Sequence, residues 1–271
     1  HFGWKKSRLE VSVPHMSVSP PKDFGDSLLV ISEIEMDSIY FEIHKDSRYP
    51  LPVRVTKLPQ GLIADLPFPV RIDSVKFKNS VFKYIGVFEN ENHLEVFFDN
   101  IAGSLVHFQN INLNSDVFAF SAAAKFMGES DFDMQTKYTY GAHDPFSLQA
   151  KLGKASIGFM NVFLQKAAGI QITECDISGL DLNMNGNVFG ESGYVDLFYS
   201  DLKIQAVDKE LGEKKWLKNI LTDLAKGFLI RKHNQPGDKF KRGEFSKERT
   251  VEKGFASQWV EGLFEGMLQS V

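Results

Sequence analysis

Cysteine is almost absent: Cys175 stands alone in a chain of 271 residues. A disulfide framework and a cysteine-based metal cluster are therefore excluded. With no basic neighbour in sequence, Cys175 reads as a small buried apolar residue rather than a reactive thiol. A reducing cytosol and a periplasm in which no disulfide is needed fit this equally. Apolar runs of about 18 residues are also missing, so no helix is expected to span a membrane. Nor does one sign of charge dominate: the net charge is −4 with both signs interspersed, which speaks against a nucleic-acid partner. The sequence begins at His1 and carries no signal-peptide pattern. It is expected to be a fragment or processed form, with any targeting or anchoring segment outside it.

Catalytic motifs are missing too. The seven histidines show no paired spacing for zinc, and no HExxH occurs. There is no P-loop, no GxGxxG and no G-x-S-x-G elbow; the nearest string, Gly153 to Gly158, has the wrong spacing. Asp131 and Asp133, two apart on an expected strand, face the same way and read as a solvated face rather than a metal site. No cofactor, no metal and no catalysis are expected.

What the chain has is apolar alternation. Hydrophobic residues make up 43% and aromatics 13%, with 24 phenylalanines, too apolar for disorder. Period-2 patterning predicts strands over Leu28–Ile34, Asp37–His44, Val70–Tyr84, Leu94–Phe108, Asp116–Met127, Asp131–Tyr140, Phe146–Leu152, Ile170–Val188 and Gly193–Val207. Turn-forming clusters such as Glu89 to Asn92, Gly128 to Ser130 and Gly141 to Pro145 separate them. Between Tyr49 and Pro69 lie Pro50, Pro52, Pro59, Pro67 and Pro69, which remove ladder donors and mark an edge or connecting segment. In one strand Phe132, Met134, Thr136, Tyr138 and Tyr140 alternate with Asp131, Asp133, Gln135, Lys137 and Thr139. In another, Leu180, Leu182 and Met184 alternate with Asp181, Asn183 and Asn185. Each describes a sheet with one apolar and one wet face. Two such faces can close into a β-sandwich, or one curved sheet can leave its apolar face as a groove; periodicity alone does not choose between them.

Helical spacing appears twice more. Ile157, Met160, Phe163, Leu164 and Ala167 predict a short helix or lid. After Lys209 the chain becomes locally basic, and Trp216, Leu217, Ile220, Leu221, Leu224 and Phe228 share one helical face. A polar connector, Arg231 to Lys241, leads to a second amphipathic helix carrying Phe255, Trp259, Leu263 and Met267. Such a tail could cap the open end of the sheet or lie at a membrane interface, with Trp216, Phe228 and Trp259 as membrane or partner contacts. The expected organisation is 1–69, N-terminal strands and Pro-rich connector; 70–208, sheet; and 209–271, helical tail.

Several strings, in order, resemble the C-terminal region of the AsmA-like family. Val70-Arg71-Ile72-Asp73-Ser74 through Phe82-Lys83-Tyr84 is similar to its opening strands, and Phe98-Asp99-Asn100-Ile101-Ala102-Gly103-Ser104-Leu105 to its F-x-N-I-x-G-x-I strand. Ala122 to Gly128, then Gly186 with Tyr199-Ser200-Asp201-Leu202-Lys203-Ile204, and Arg242 to Arg249 before the Trp259 helix continue the match over roughly residues 65 to 271. The resemblance implies a mainly β protein with a long, curved, antiparallel-type sheet forming a groove. It also implies a membrane-associated protein of the periplasm in a Gram-negative envelope, linked to phospholipid traffic to the outer membrane or to that membrane's integrity. The family's N-terminal anchoring helix is absent here, and the chain is short for a bridge across the periplasm. The expected lining of the groove is Phe132, Met134, Tyr138, Tyr140, Leu180, Leu182, Met184, Val195, Leu197 and Tyr199. The expected partner is a phospholipid or other acyl-chain lipid. A structural subunit of a larger envelope complex is the alternative, and a hydrolase with an unrecognised polar cleft a third.

Overall fold

A computed structural model describes residues 7–25, 28–46, 48–49, 54–87, 93–111, 117–156, 161, 170–206, 231–237 and 239–271. The expected helix within 155–169 and the first tail helix, with Trp216, Ile220 and Phe228, lie outside the described residues.

The chain is mainly β, built as one open, curved sheet with a short helix at its C-terminal end. At the N-terminal border, β1 (Ser7–Ser12), β2 (His15–Val18) and β3 (Asp23–Gly25) run antiparallel to β5 (Tyr40–Asp46) and β4 (Leu28–Asp37). β4 and β5 both pair in parallel with one long strand, β6 (Val70–Val87): Leu29 to Asp37 lie beside Val70 to Lys78, and Tyr40 to Asp46 beside Val81 to Val87. The two strands expected at Leu28–Ile34 and Asp37–His44 are both present and run on in the same direction along β6, but the joint between them falls at Ser38 rather than Glu35. Parallel pairing needs a crossover. The proline-rich segment supplies it and carries the short helix α1 (Pro59–Ala64).

From β6 onward the sheet is an antiparallel meander: β7 (His93–Gln109), β8 (Val117–Phe126), β9 (Ser130–Thr139), β10 (Phe146–Leu152), β11 (Ile170–Gly186), β12 (Gly190–Ala206) and β13 (Gly243–Glu248). β13 interrupts the stretch expected to be a helical tail. After it comes α2 (Phe255–Ser270), where Phe255, Trp259, Leu263 and Met267 predict a helix. The sheet runs unbroken across the boundaries expected near residues 69 and 208.

A line of bulges bends this sheet. Ser38, Asn79 and Asn100 all have positive φ, and the β6–β7 and β7–β8 registers slip beside Asn79 and Asn100. Asn tolerates the left-handed region better than most residues, and each inserted residue increases local twist. The Asp37 carboxylate accepts from Asn79 Nδ2 (3.0 Å) and Ser38 Oγ (2.9 Å). Those two hydrogen bonds hold its pKa below the ordinary carboxylate range.

Candidate functional site: the concave apolar face

Register carries one apolar row across the five strands from β1 to β8. Val11 lies opposite Phe41, Phe41 opposite Phe82, Phe82 opposite Phe98 and Phe98 opposite Phe126. A second row runs Met36, Phe77, Gly103, Ala122, Met134, Ala150, Leu182 and Val195, strand by strand. Rings stack along it: Phe41 on Phe82 and Phe77 on Phe120, both with centroids 5.6 Å apart. Phe98 meets Phe132 at 4.8 Å.

The two halves of this face differ in cover. In the C-terminal half, Tyr138, Tyr140, Leu180, Leu182, Met184, Val195, Leu197 and Tyr199 are all buried in one packed core with Leu148, Phe245 and Met267; Phe132 and Met134 pack against its margin, partly buried. The residues expected to line a groove therefore do share a face, and the structure places them in filled core. The cover is α2. Its Gly262 and Gly266 let the helix press onto Met184, Val195 and Phe245, and Gly243 on β13 approaches the Gly266 carbonyl too closely for any Cβ. α1 closes the other flank, with Leu58 buried in the core and Gln60 Nε2 donating to the carbonyls of Asp144 and Pro145, both at 3.0 Å. Burial raises the Tyr138 and Tyr199 hydroxyls to about 12 and the partly buried Cys175 thiol to about 11, so all three stay neutral. Trp259 is half-buried, edge-on to Phe255 at 5.3 Å, within the cap.

In the N-terminal half Ile34, Met36, Phe41, Ile43, Phe77, Phe82, Tyr84, Val96, Phe98, Leu105 and Phe120 are only half-buried, and the main packing of α1 and α2 lies elsewhere, on β9 and on β12 and β13. Sequence patterning missed this aromatic stretch as a candidate site. Its signal was present, since Phe41/Ile43 and Phe82/Tyr84 alternate as cleanly as Phe132/Met134.

Where the two halves meet, a polar cluster ties the borders together. Lys45 on β5 donates to Ser257 on α2 at 3.3 Å. Thr56 N donates to Val251 O at 2.8 Å, and Arg249 Nη2 donates to Thr56 O at 2.5 Å. Lys247 and Lys253 both bond Glu261 on α2. They hold its carboxyl below the ordinary range, against burial acting the other way. Behind them Glu191 is 5% exposed and Gln258 6%, and both carry buried side-chain atoms with no hydrogen-bond partner. They line a cavity of about 10 Å³, room for one water. Burial pushes Glu191 up to about 7.

Among the described residues no group of three or more His, Cys, Asp or Glu is placed to hold a metal, and no helix is long and apolar enough to cross a membrane. Asp131 and Asp133 are exposed on the convex face, where Lys125 Nζ reaches Asp131 at 2.7 Å. The fold and site define a class: an open β-sheet with an extended apolar face and a short helix packed on its last two strands. No family model matches the chain, and no curated protein or solved structure is similar to it.

Proposed function

We propose that this chain is a non-catalytic, AsmA-like protein of the Gram-negative envelope that shelters acyl chains of phospholipid along the N-terminal half of its concave face. One observation carries the reading: the aromatic row Phe41–Phe82–Phe98 stays half-buried although it adjoins a filled core, and both described helices pack mainly on other strands. A methylene leaving a bilayer for water costs about 0.8 kcal/mol, so an apolar track offsets that cost while headgroups stay wet at the open rim. Such a conduit needs no cofactor. The binding stretch is Met36, Phe41, Phe77, Phe82, Phe98 and Phe120, with Phe132 and Met134 at its inner limit. The ten residues first expected to line a groove serve mainly as the wall that ends it.

The test places a photoactivatable amino acid at Phe82, Phe98 or Val195 in cells, followed by mass spectrometry of the adducts. Lipid adducts at Phe82 and Phe98 but not at Val195 are expected. No lipid at any position, together with lipid-free protein after gentle extraction, would sink the reading. It would leave the alternative of a structural subunit of an envelope complex, a role that the filled C-terminal core suits.

A further inference from the structure

Among the described residues β1 pairs on one side alone, with β5, and the chemistry of its outer edge is self-complementary. Along this border Pro14, Pro20 and Pro21 break the edge into short pieces and remove donors, a common protection against strand addition. β1 itself has no such protection: Ser7 to Ser12 contains neither proline nor lysine. On the concave face it exposes Leu9 (58%) and Val11 (51%). On the convex face Arg8 and Glu10 pair with each other at 3.3 Å, while Glu10 lies directly opposite Glu42 of β5. Like charges directly opposite destabilise a strand pair, so a cation across the free side of Glu10 would be favourable.

We infer that β1 pairs antiparallel with β1 of a second copy, about a two-fold axis at Leu9. That register sets Arg8 opposite the second copy's Glu10, Glu10 opposite its Arg8, and Leu9 against Leu9. A shift by one residue mixes the apolar and charged faces. Shifts by two within β1 set Arg8 against Arg8 or Glu10 against Glu10. The Leu9-centred pairing alone keeps both faces matched and opposite charges opposed. Two sheets then join edge to edge, and the concave apolar rows of both copies become one. The inference does not depend on the identity of any ligand.

The experiment uses the full chain in analytical ultracentrifugation over a wide concentration range, with circular dichroism to confirm that each variant is folded. The wild type is expected to dimerise. Arg8→Glu and Glu10→Arg each set like charges opposite each other twice per dimer and should weaken association by roughly ten- to thirtyfold. The double variant R8E/E10R restores the pairing and should dimerise as the wild type does. Mixing the two single variants should yield a heterodimer, because each supplies the charge the other lacks. A wild type that stays monomeric throughout overturns the inference. So does a dimer indifferent to the single substitutions, or a mixture of the two single variants that fails to associate.

Discussion

Lys45 near the end of β5 and Ser257 in the first turn of α2 are joined by a 3.3 Å hydrogen bond across 212 residues of sequence. Lys45 shares strand parity with Phe41 and Ile43, so it points from the concave face. α2 sits on that same face of β12 and β13. The contact therefore means that the sheet has rolled until its first and last parts meet over the apolar interior. Burial, with Lys253 nearby, pushes the Lys45 ammonium below its ordinary range.

If that contact holds the roll closed, Lys45→Ala should cost about 1 kcal/mol. Hydrogen exchange should speed up at the end of β5 and the start of α2 and stay slow in β10 and β11. Equal protection of β5 and α2 in variant and wild type would show the contact to be incidental.

Glu191 makes the clasp pH-sensitive. Its ordinary pKa of 4.5 is raised to about 7 by burial, so the folded chain binds more protons than the unfolded chain in that window. The stability contributed by the neutral carboxyl is fully present below about 4.5 and is lost as pH rises through about 7. Facing it are Lys247, Arg249 and Glu248 from β13 and the residue after it, Lys253 from the following turn, and Gln258, Glu261 and Glu265 from α2. Urea unfolding should show the wild type weaker at about pH 8 than at about pH 5, and Glu191→Gln should flatten that difference. Identical pH profiles would refute the assignment.

Close approach of α2 to the sheet ranks its glycines. A Cβ on Gly243 would lie 1.7 Å from the Gly266 carbonyl oxygen, a backbone atom that cannot swing aside. Gly243→Ala should cost about 3 kcal/mol or more and displace α2. A Cβ on Gly262 meets the tip of Met184 and the edge of the Phe245 ring, both at 2.8 Å; these are side chains that can give a little, so Gly262→Ala should cost about 2 kcal/mol, less than Gly243→Ala. Thermal denaturation of the two variants checks the order; a reversed ranking would show that α2 is docked otherwise.

Core and trough should respond differently to truncation. Met184 and Val195 have no exposed surface, and removing their side chains should cost about 2–5 kcal/mol for Met184→Ala and somewhat less for Val195→Ala. Phe82 and Phe98 are half-buried, so Phe82→Ala and Phe98→Ala should cost less stability and reduce co-purified lipid instead. Denaturation midpoints and lipid mass spectrometry, measured on the same preparations, separate the two effects. Loss of stability without loss of lipid at Phe82 would make it core.

Asn234 tests how the return segment is pinned. Its side chain donates to the Leu197 and Lys241 carbonyls at 2.8 and 2.9 Å and accepts from Lys241 N at 2.8 Å, while its backbone bridges Tyr199. Asn234→Ala leaves buried backbone groups unsatisfied and should cost about 3 kcal/mol in urea titration. A cost near zero would mean that water replaces those bonds.

Much of this was legible in the residues themselves. Alternation in Asp131–Tyr140 and Leu180–Asn185 marks strands and sorts each side chain to a face, because a pleated strand allows no other distribution. The helical spacing of Phe255, Trp259, Leu263 and Met267 located α2 in the same way. Three strands on the N-terminal border escaped notice: β2 and β3 are four and three residues long, too short for a period to register, and β1, six residues long, carries only Leu9 and Val11 on its apolar face. β13 was hidden within a basic stretch whose apolar content is Phe245 alone. The joint at Ser38 was misplaced because a polar residue signals a break but not whether the chain turns back or continues.

By itself the sequence determined which side chains lie together on the apolar face, since that follows from local geometry with a period of two. Only the tertiary structure decided which stretch of that face α2 and α1 cover and which they leave half-open. It also brought Lys45, Thr56, Glu191 and Ser257 to one place. Cover and clasp depend on the accumulated twist and bulges of many strands, and contacts between residues some 200 positions apart leave no periodic trace in the chain.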